Sequence, residues 1–196
     1  MSFVLLLALL AVGCSNSLCH YTDPVHKVSV SYPDTADLFS DKVLLQEQVE
    51  QENPQQATAI DHPEILFVIT TMGRGQLTCS VYQLPAASPL SPEDYYEVST
   101  AKELAASGVE VVEPKSTVVI DQKTFLTVGF IVKAGDRPVH SRLYQYLDPQ
   151  SKKALVVTIA ALQADWPAAS GVLGSIVESL KFDWAGSSPS PEATKR

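Results

Sequence analysis

Four extended runs follow one another in the second half of the chain with only a few residues between them. They cover residues 116–120, 124–133, 139–147 and 154–162. Turn sequences such as Asp121-Gln122 and Asp148-Pro149-Gln150-Ser151 join them. A parallel pair needs a crossover of a dozen or more residues, whereas antiparallel neighbours can be joined by a turn of two. The spacing therefore predicts an antiparallel meander.

Further strands are predicted in the first half of the chain. Alternating or apolar segments cover residues 28–32, 42–50, 65–71 and 76–84. The last two flank Met72-Gly73-Arg74-Gly75, and a glycine-bearing turn between two extended runs is typical of a β-hairpin.

Two helices are predicted from capping residues and apolar spacing. In residues 91–107, Ser91 is a candidate N-cap, Pro92 suits the first helical position, and Gly108 is a candidate stop. In residues 165–180, Asp165 is the candidate cap. Apolar residues repeat there at helical spacing: Trp166, Ala169, Val172, Leu173, Ile176, Val177 and Leu180. A meander with helices at two places predicts an α+β fold, an antiparallel sheet covered by helices.

The predicted domain organisation is simple. Residues 1–13 are expected to be a signal peptide, residues 14–24 a tether, whose lipidation is argued from Cys14 below, and residues 25–184 a single α+β domain. Residues 185–196 are rich in Ser and Pro and lack periodicity, so a disordered tail is expected.

The signal peptide is predicted from an uncharged apolar run over residues 3–12, which Gly13-Cys14-Ser15-Asn16 follows at once. Ten helical residues span about 15 Å, roughly half of a hydrocarbon core of about 30 Å. That length suits a signal peptide and not a transmembrane helix. The segment resembles a bacterial lipoprotein signal, in which the cysteine of the lipobox is acylated. The resemblance implies lipidation at Cys14.

Two features depart from the lipoprotein pattern. Ala11 stands where Leu is commonest, and no Lys or Arg precedes Lys27. The alternative is an ordinary signal peptide cleaved near Gly13 that leaves Cys14 as a free thiol. If Cys14 is acylated, the expected location is the bacterial cell envelope. Ser15, and not Asp, follows the cysteine. In enteric-type lipoprotein sorting a serine there favours the outer membrane, with the domain facing the periplasm or the cell surface.

The charge balance limits the classes of partner. The formal net charge is −8, and residues 1–13 carry no charged side chain, so the mature chain keeps it. Nucleic-acid binding needs clustered Lys and Arg, and so does polybasic contact with anionic lipid. We therefore expect no nucleic-acid partner, and membrane association through the lipid anchor only.

The remaining cysteines allow one bridge. Cys19 lies in the predicted tether, and Cys79 belongs to the alternating run Leu77-Thr78-Cys79-Ser80-Val81. In an oxidising compartment a Cys19–Cys79 disulfide is possible. Because free cysteine is among the most buried residue types, an unbonded Cys79 in the core is the alternative.

The histidines are candidate metal ligands or catalytic bases. His20, Asp23 and His26 lie near Cys19, but their spacing fits no standard metal site, and a solvated linker is the simpler interpretation. His62 precedes Pro63 in a predicted turn, and His140 lies in a predicted strand. No nucleophile elbow, zinc-protease motif or phosphate-binding loop occurs in these 196 residues. No metal or other cofactor is expected.

Two segments of the chain have a distinctive layout. The first is Val28-Ser-Val-Ser-Tyr-Pro33, and the second is the strand at 154–162 followed by Trp166 and a helix ending Ile176-Val-Glu-Ser-Leu-Lys-Phe182. Both resemble segments of the PsbP-like and DcrB-like families of extracytoplasmic proteins. The resemblance implies an α/β/α sandwich and non-enzymatic work, as in lipoproteins and assembly or stabilising factors. It carries over no functional residue.

These observations lead to three functional hypotheses. The first is a lipid-anchored module that binds an envelope protein, or acts in assembly or stability, without catalysis. The second is an envelope hydrolase with a site built around His62 or His140. The third is a lipoprotein that binds a small ligand or a metal. Tyr144 and Tyr146 alternate along one strand and offer either an exposed aromatic face for a partner or ordinary sheet packing.

Overall fold

A computed structural model describes most of the predicted domain. The described residues are 17–41, 45, 63–72, 74–84, 91–106, 109–134 and 137–184. The predicted signal peptide, Cys14, His62 and the predicted tail lie outside them. So does the predicted strand at 42–50, except for Leu45, which is helical and packs against Ile65 and Val68.

The described residues form strands and short helices in this order along the chain. They are β1 (Leu18–Thr22), β2 (Val28–Pro33), β3 (Ala36–Phe39), β4 (Glu64–Thr71), β5 (Gly75–Gln83), α1 (Pro92–Val98), α2 (Thr100–Ala106), β6 (Glu110–Ile120), β7 (Lys123–Ala134), β8 (Arg137–Asp148), β9 (Lys153–Leu162), α3 (Trp166–Glu178) and β10 (Lys181–Phe182).

The main sheet has seven strands in the order β3-β4-β5-β9-β8-β7-β6, and every neighbouring pair is antiparallel. The predicted meander is confirmed as β6 to β9, and the predicted hairpin as β4 and β5. The last strand of the meander, β9, pairs with β5 and so joins the two halves of the chain. A smaller sheet has the order β1-β2-β10.

Helices pack on opposite faces of the seven-stranded sheet. Because side chains alternate along a strand, Phe125 of β7 joins the core beneath α3, while its neighbour Leu126 packs with Tyr96 of α1. The smaller sheet contributes Val28 and Val30 to the core on the α3 side. The layers are helix, sheet and helix, which confirms the α+β class and the α/β/α sandwich.

Several local predictions were wrong. The helix predicted over 91–107 is divided at Ser99, whose backbone N–H and Oγ both donate to the Tyr95 carbonyl. Such a back-bonded serine bends a helix. Val172, predicted to face the core, is 44% exposed. Asp165 occupies the N-cap position of α3, but its side chain makes no capping hydrogen bond.

The tether is shorter than predicted. Residues 18–22 form β1, which pairs with β2 along its whole length. The strand was missed because its residues are exposed or half-buried and lack an apolar stripe. Tyr21 nevertheless packs edge-on against Phe67, with 5.5 Å between ring centroids, and this contact ties β1 to the main core. The folded unit therefore begins before residue 25.

Candidate functional site

One concave feature of the described residues is an open groove between α3 and the sheet face formed by β6, β7 and β8. Its volume is about 400 Å³. The floor comes from the strands and the wall from the helix, and we call this site the α3 groove. Its main lining residues are Glu113, Ser116, Val118, Thr127, Arg142, Tyr144, Ser170, Gly171, Gly174, Ser175 and Glu178.

Small residues on α3 leave the groove open. A Cβ atom added at Gly171 or Gly174 would meet no atom within 4 Å. The opposite stripe of the helix is apolar, since Leu173 and Ile176 are buried in the core. The helix therefore covers the centre of the sheet with one side and leaves the β6 edge uncovered on the other.

An ion pair crosses the floor of the groove. Arg142 Nε and Nη2 donate to the two carboxylate oxygens of Glu113 at 2.6 and 2.7 Å. Both residues lie opposite Gly129 on β7, and a Cβ there would lie 2.6 Å from the Glu113 carboxyl carbon. The absent side chain of Gly129 thus gives the carboxylate its path to Arg142. Hydrogen bonding from Arg142 lowers the pKa of Glu113 and raises that of the guanidinium.

His140 lies beside this pair in an aromatic stack. Its ring stacks on Trp166 with 3.9 Å between centroids, and the Arg142 guanidinium lies 5.4 Å from the Trp166 ring. His140 Nε2 is 3.5 Å from Glu113 Oε1 and makes no hydrogen bond. Burial is the main cause that lowers the pKa of His140.

The contacts of His140 are those of a packed side chain: a stacked Trp166 ring on one face and the Glu113 carboxylate near its edge. Within the part of the chain that the structure describes, no Ser, Thr or Cys side chain is hydrogen-bonded to Nε2, so that atom has no nucleophile to activate. The hydrolase hypothesis for His140 gains no support from its surroundings, and His62 lies outside the described residues.

The rest of the groove is polar and weakly acidic. Thr127 Oγ1 is buried with no hydrogen-bond partner, between Ser116 on β6 and Tyr144 on β8. Glu178 is exposed on the α3 wall, and among the described residues it forms no salt bridge. Because Glu113 and Arg142 neutralise each other, Glu178 sets the sign of the charge that the groove presents to a partner.

The groove opens onto β6, which is the edge strand of the sheet. Only Ile120 of this strand is buried. Val111, Val112 and Val119 are 52%, 38% and 68% exposed. Pairing with β7 is irregular between Val111 and Ser116, around Pro114, and regular from Ser116 to Ile120. An exposed, regular edge strand can pair with another chain.

The other residues singled out from the sequence lie elsewhere. Cys19 and Cys79 are both free thiols, so the bridge considered above is absent from the structure. Cys79 is fully buried in the core, and that burial raises the pKa of its thiol. Tyr144 is buried and Tyr146 packs against Phe125 and Phe182. An exposed aromatic face was therefore the wrong alternative, because both rings face the core.

The histidines near the N-terminus are separated by their partners. His20 Nδ1 is 2.8 Å from Ser31 Oγ, and His26 Nε2 is 2.8 Å from Glu64 Oε2. Asp23 is buried, and its Oδ1 accepts the backbone N–H of His26. Across the described ranges, no three His, Cys, Asp or Glu side chains are grouped to hold a metal ion. The same ranges contain no helix long and apolar enough to cross a membrane.

Sequence reasoning missed the groove itself. Glu113, Gly129 and Arg142 belong to three strands, and no local motif marks them. A weak signal was present: a glycine within an otherwise apolar strand often marks close approach of another group.

Comparison with solved structures identifies the fold. Cyanobacterial PsbP (CyanoP) from Synechocystis sp. PCC 6803 matches with a TM-score of 0.58 and 15% identity, over 88% of this chain and 96% of that one. LpqN of Mycobacterium tuberculosis matches with a TM-score of 0.57 and 9% identity, over 88% of each chain. The Saccharomyces cerevisiae Ran-binding protein Mog1p matches with a TM-score of 0.50 and 12% identity, over 86% of this chain and 96% of that one.

These likenesses show a PsbP-like fold. No family model matches the sequence, and no curated protein sequence matches it.

Proposed function

We propose that the protein is a lipid-anchored, non-catalytic module that binds another protein at the bacterial cell envelope. The observation that carries this proposal is the α3 groove, which is open along an exposed edge strand and whose central charges are already paired with each other. An enzyme site needs a poised nucleophile, acid or base. A site that binds a peptide strand needs an accessible concave surface and main-chain N–H and C=O groups that are not yet hydrogen-bonded.

The structural neighbours support an envelope role. LpqN is described as involved in cell envelope biogenesis, and the yeast neighbour is described as a Ran-binding protein. Both share the fold at low identity. LpqN is an example of this architecture in an envelope role, and the yeast protein is an example of it in protein binding. The signal-like segment before Cys14 adds an independent argument for export and anchoring.

The test is photocrosslinking in native membranes. A photoreactive amino acid at Ser175, in the groove wall, is compared with one at Val172, which is exposed on α3 but does not line the groove. We expect the Ser175 position to give a defined crosslinked envelope protein, identified by mass spectrometry, and Val172 to give much less. Equal yields at both positions, or turnover of a generic ester or peptide substrate by the purified chain, would contradict the proposal.

One observation favours a second candidate, a small polar ligand in the groove. The buried Thr127 hydroxyl has no partner in the structure, and such groups usually have one. Thr127 lines the groove, and a neutral ligand with hydroxyl or amide groups would supply the partner once the side chain turns toward it. A thermal-shift screen of envelope metabolites tests this candidate, and a flat response across the screen would remove it.

A further inference from the structure

We propose that the partner is an extended, basic peptide segment that pairs with β6 along residues 116–120 and extends the seven-stranded sheet. This inference rests on the protein-binding function proposed above and specifies the surface and the chemistry of the partner. Three features of β6 carry it: the direction of its main-chain groups, the accessibility of this part of the edge, and the sign of the charge beside it.

The hairpin between β6 and β7 determines which main-chain groups point outward. Asp121 and Gln122 both have positive φ, 48° and 62°, as in a two-residue type I′ turn. Ile120 and Lys123, which flank this turn, therefore form a hydrogen-bonded pair. Since hydrogen-bonded and non-hydrogen-bonded pairs alternate in an antiparallel ladder, the N–H and C=O groups of Val119 and Thr117 face away from β7. They are the groups that an added strand would bind.

This part of the edge lacks the usual protection against pairing. Pro114 and the irregular pairing around it protect the first half of β6 but end at Ser116. Lys115, a residue type that commonly shields an edge, is held on α1: its Nζ donates to Glu97 Oε1 at 2.9 Å and lies 4.8 Å from the Tyr96 ring centroid. Val119 is 68% exposed beside the outward amide groups. Nothing among the described residues pairs with the outer side of β6.

The negative charge beside β6 favours a basic peptide segment as the partner. On the groove side of the sheet, Ser116, Val118 and Ile120 line the floor, and Glu178 lies on the wall above it. A strand added to β6 would place every second side chain on this side. A Lys or Arg at one of these positions would be attracted by Glu178, whereas an acidic side chain would be repelled. The net charge of −8 acts in the same direction at longer range.

A peptide-display experiment tests the inference. A library of random ten-residue peptides is panned against the full chain in detergent micelles, and the selected peptides are resynthesised for affinity measurements. We expect β-branched residues in alternation with Lys or Arg. Val119→Pro, which removes one outward N–H from an exposed edge position, should weaken binding about tenfold or more. Val119→Thr keeps that N–H and should stay within about threefold.

Two further variants complete the design. Glu178→Gln should weaken binding about threefold to tenfold and reduce its salt dependence. Thr117→Pro removes the other outward N–H group. It is used instead of Val119→Pro if the Val119→Pro protein melts at a lower temperature than the wild type.

Several outcomes would overturn the inference. The first two are a library in which no peptide is enriched and one in which acidic peptides are enriched. The third is equal binding of the selected peptides to the wild type and the proline variants. The fourth is a wild-type dimer that Val119→Pro dissociates, because the strand bound to β6 would then belong to a second copy of the chain. The Ser175 crosslink distinguishes the two proposals. If it persists undiminished in Val119→Pro, protein binding stands and pairing at β6 is wrong.

Discussion

Gly129 shows how a single missing side chain shapes the groove. A Cβ atom added to Gly129 would lie 2.6 Å from the carboxyl carbon of Glu113 and 2.7 Å from its Cβ, which is closer than atoms can pack. The bidentate contact with Arg142 passes over this position. The residue is therefore required for the ion pair, which in turn holds the charges of the groove floor in place.

We expect Gly129→Ala to destabilise the protein by about 1–3 kcal/mol, because the new methyl group overpacks the site and displaces Glu113. Urea unfolding measures the change. Gly171→Ala is the matched control: its methyl group meets nothing within 4 Å, and alanine favours a helix by about 0.5–1 kcal/mol over glycine. A Gly129→Ala variant as stable as the Gly171→Ala variant would contradict the steric account.

His140 links stability to pH. Burial holds the pKa of His140 below its ordinary value of 6.5 in the folded protein, and hydrogen bonding from Arg142 holds that of Glu113 below 4.5. For both groups the unfolded chain binds protons more readily than the folded one. Their stabilising contributions are thus complete above the unfolded pKa and are lost as the pH falls, first for His140 and then for Glu113.

The expected result is a free energy of unfolding that decreases between pH 7 and pH 5. His140→Phe keeps a ring on Trp166 and removes the titrating group, so its decrease in this range should be smaller than that of the wild type. Urea unfolding at several pH values measures both slopes. Above pH 7 the two curves should run parallel, and a variant slope equal to that of the wild type below pH 7 would refute the role of His140.

At the scale of elements, one side of α3 is buried against the sheet and another is exposed. Leu173 is fully buried against the sheet, and its neighbour Val172 is 44% exposed. Both fit the apolar spacing of a helix, so the sequence pattern could not separate them. The position of β5 and β9 beneath the helix decides which of the two is covered.

Truncation of these neighbours should therefore differ in cost. Leu173→Ala removes a buried side chain and should lower the free energy of unfolding by about 2–5 kcal/mol. Val172→Ala should change it by no more than about 0.5 kcal/mol, as is usual at exposed positions. Chemical denaturation of both variants checks this. Similar losses in the two variants would mean that α3 packs differently from the orientation described.

For the whole molecule, the short distance between Cys14 and the folded domain is the important quantity. Cys14 stands four residues before Leu18, the first residue of β1. Four extended residues span at most about 14 Å. A lipid on Cys14 would therefore hold the domain close to the bilayer, where a partner protein of the envelope is within reach.

Cys14→Ser tests the anchor. We expect the wild type to fractionate with membranes and to incorporate a palmitate analogue, and the variant to lose both properties, because a serine hydroxyl cannot form the thioether. The domain itself should keep the same melting temperature, which serves as the control for folding. A variant that remains in the membrane fraction would show that another feature holds the protein there.

Local sequence determined the elements whose signals lie within a few neighbouring residues. Alternation and short turns specified the β6–β9 meander and the β4–β5 hairpin, and helical spacing specified α3. Where the local signal was weak the predictions failed: β1 has no apolar stripe, and a serine hydroxyl bonded to the preceding turn divides the helix predicted over 91–107.

Only the tertiary structure decided the pairing of β9 with β5, the meeting of Glu113 and Arg142 over Gly129, and the exposure of β6 as an edge. The physical reason is that periodicity describes which side of an element is apolar, and not which other element covers it. Register, strand order and helix placement arise from many long-range contacts formed together, and the α3 groove exists only where those contacts leave one end of the sheet uncovered.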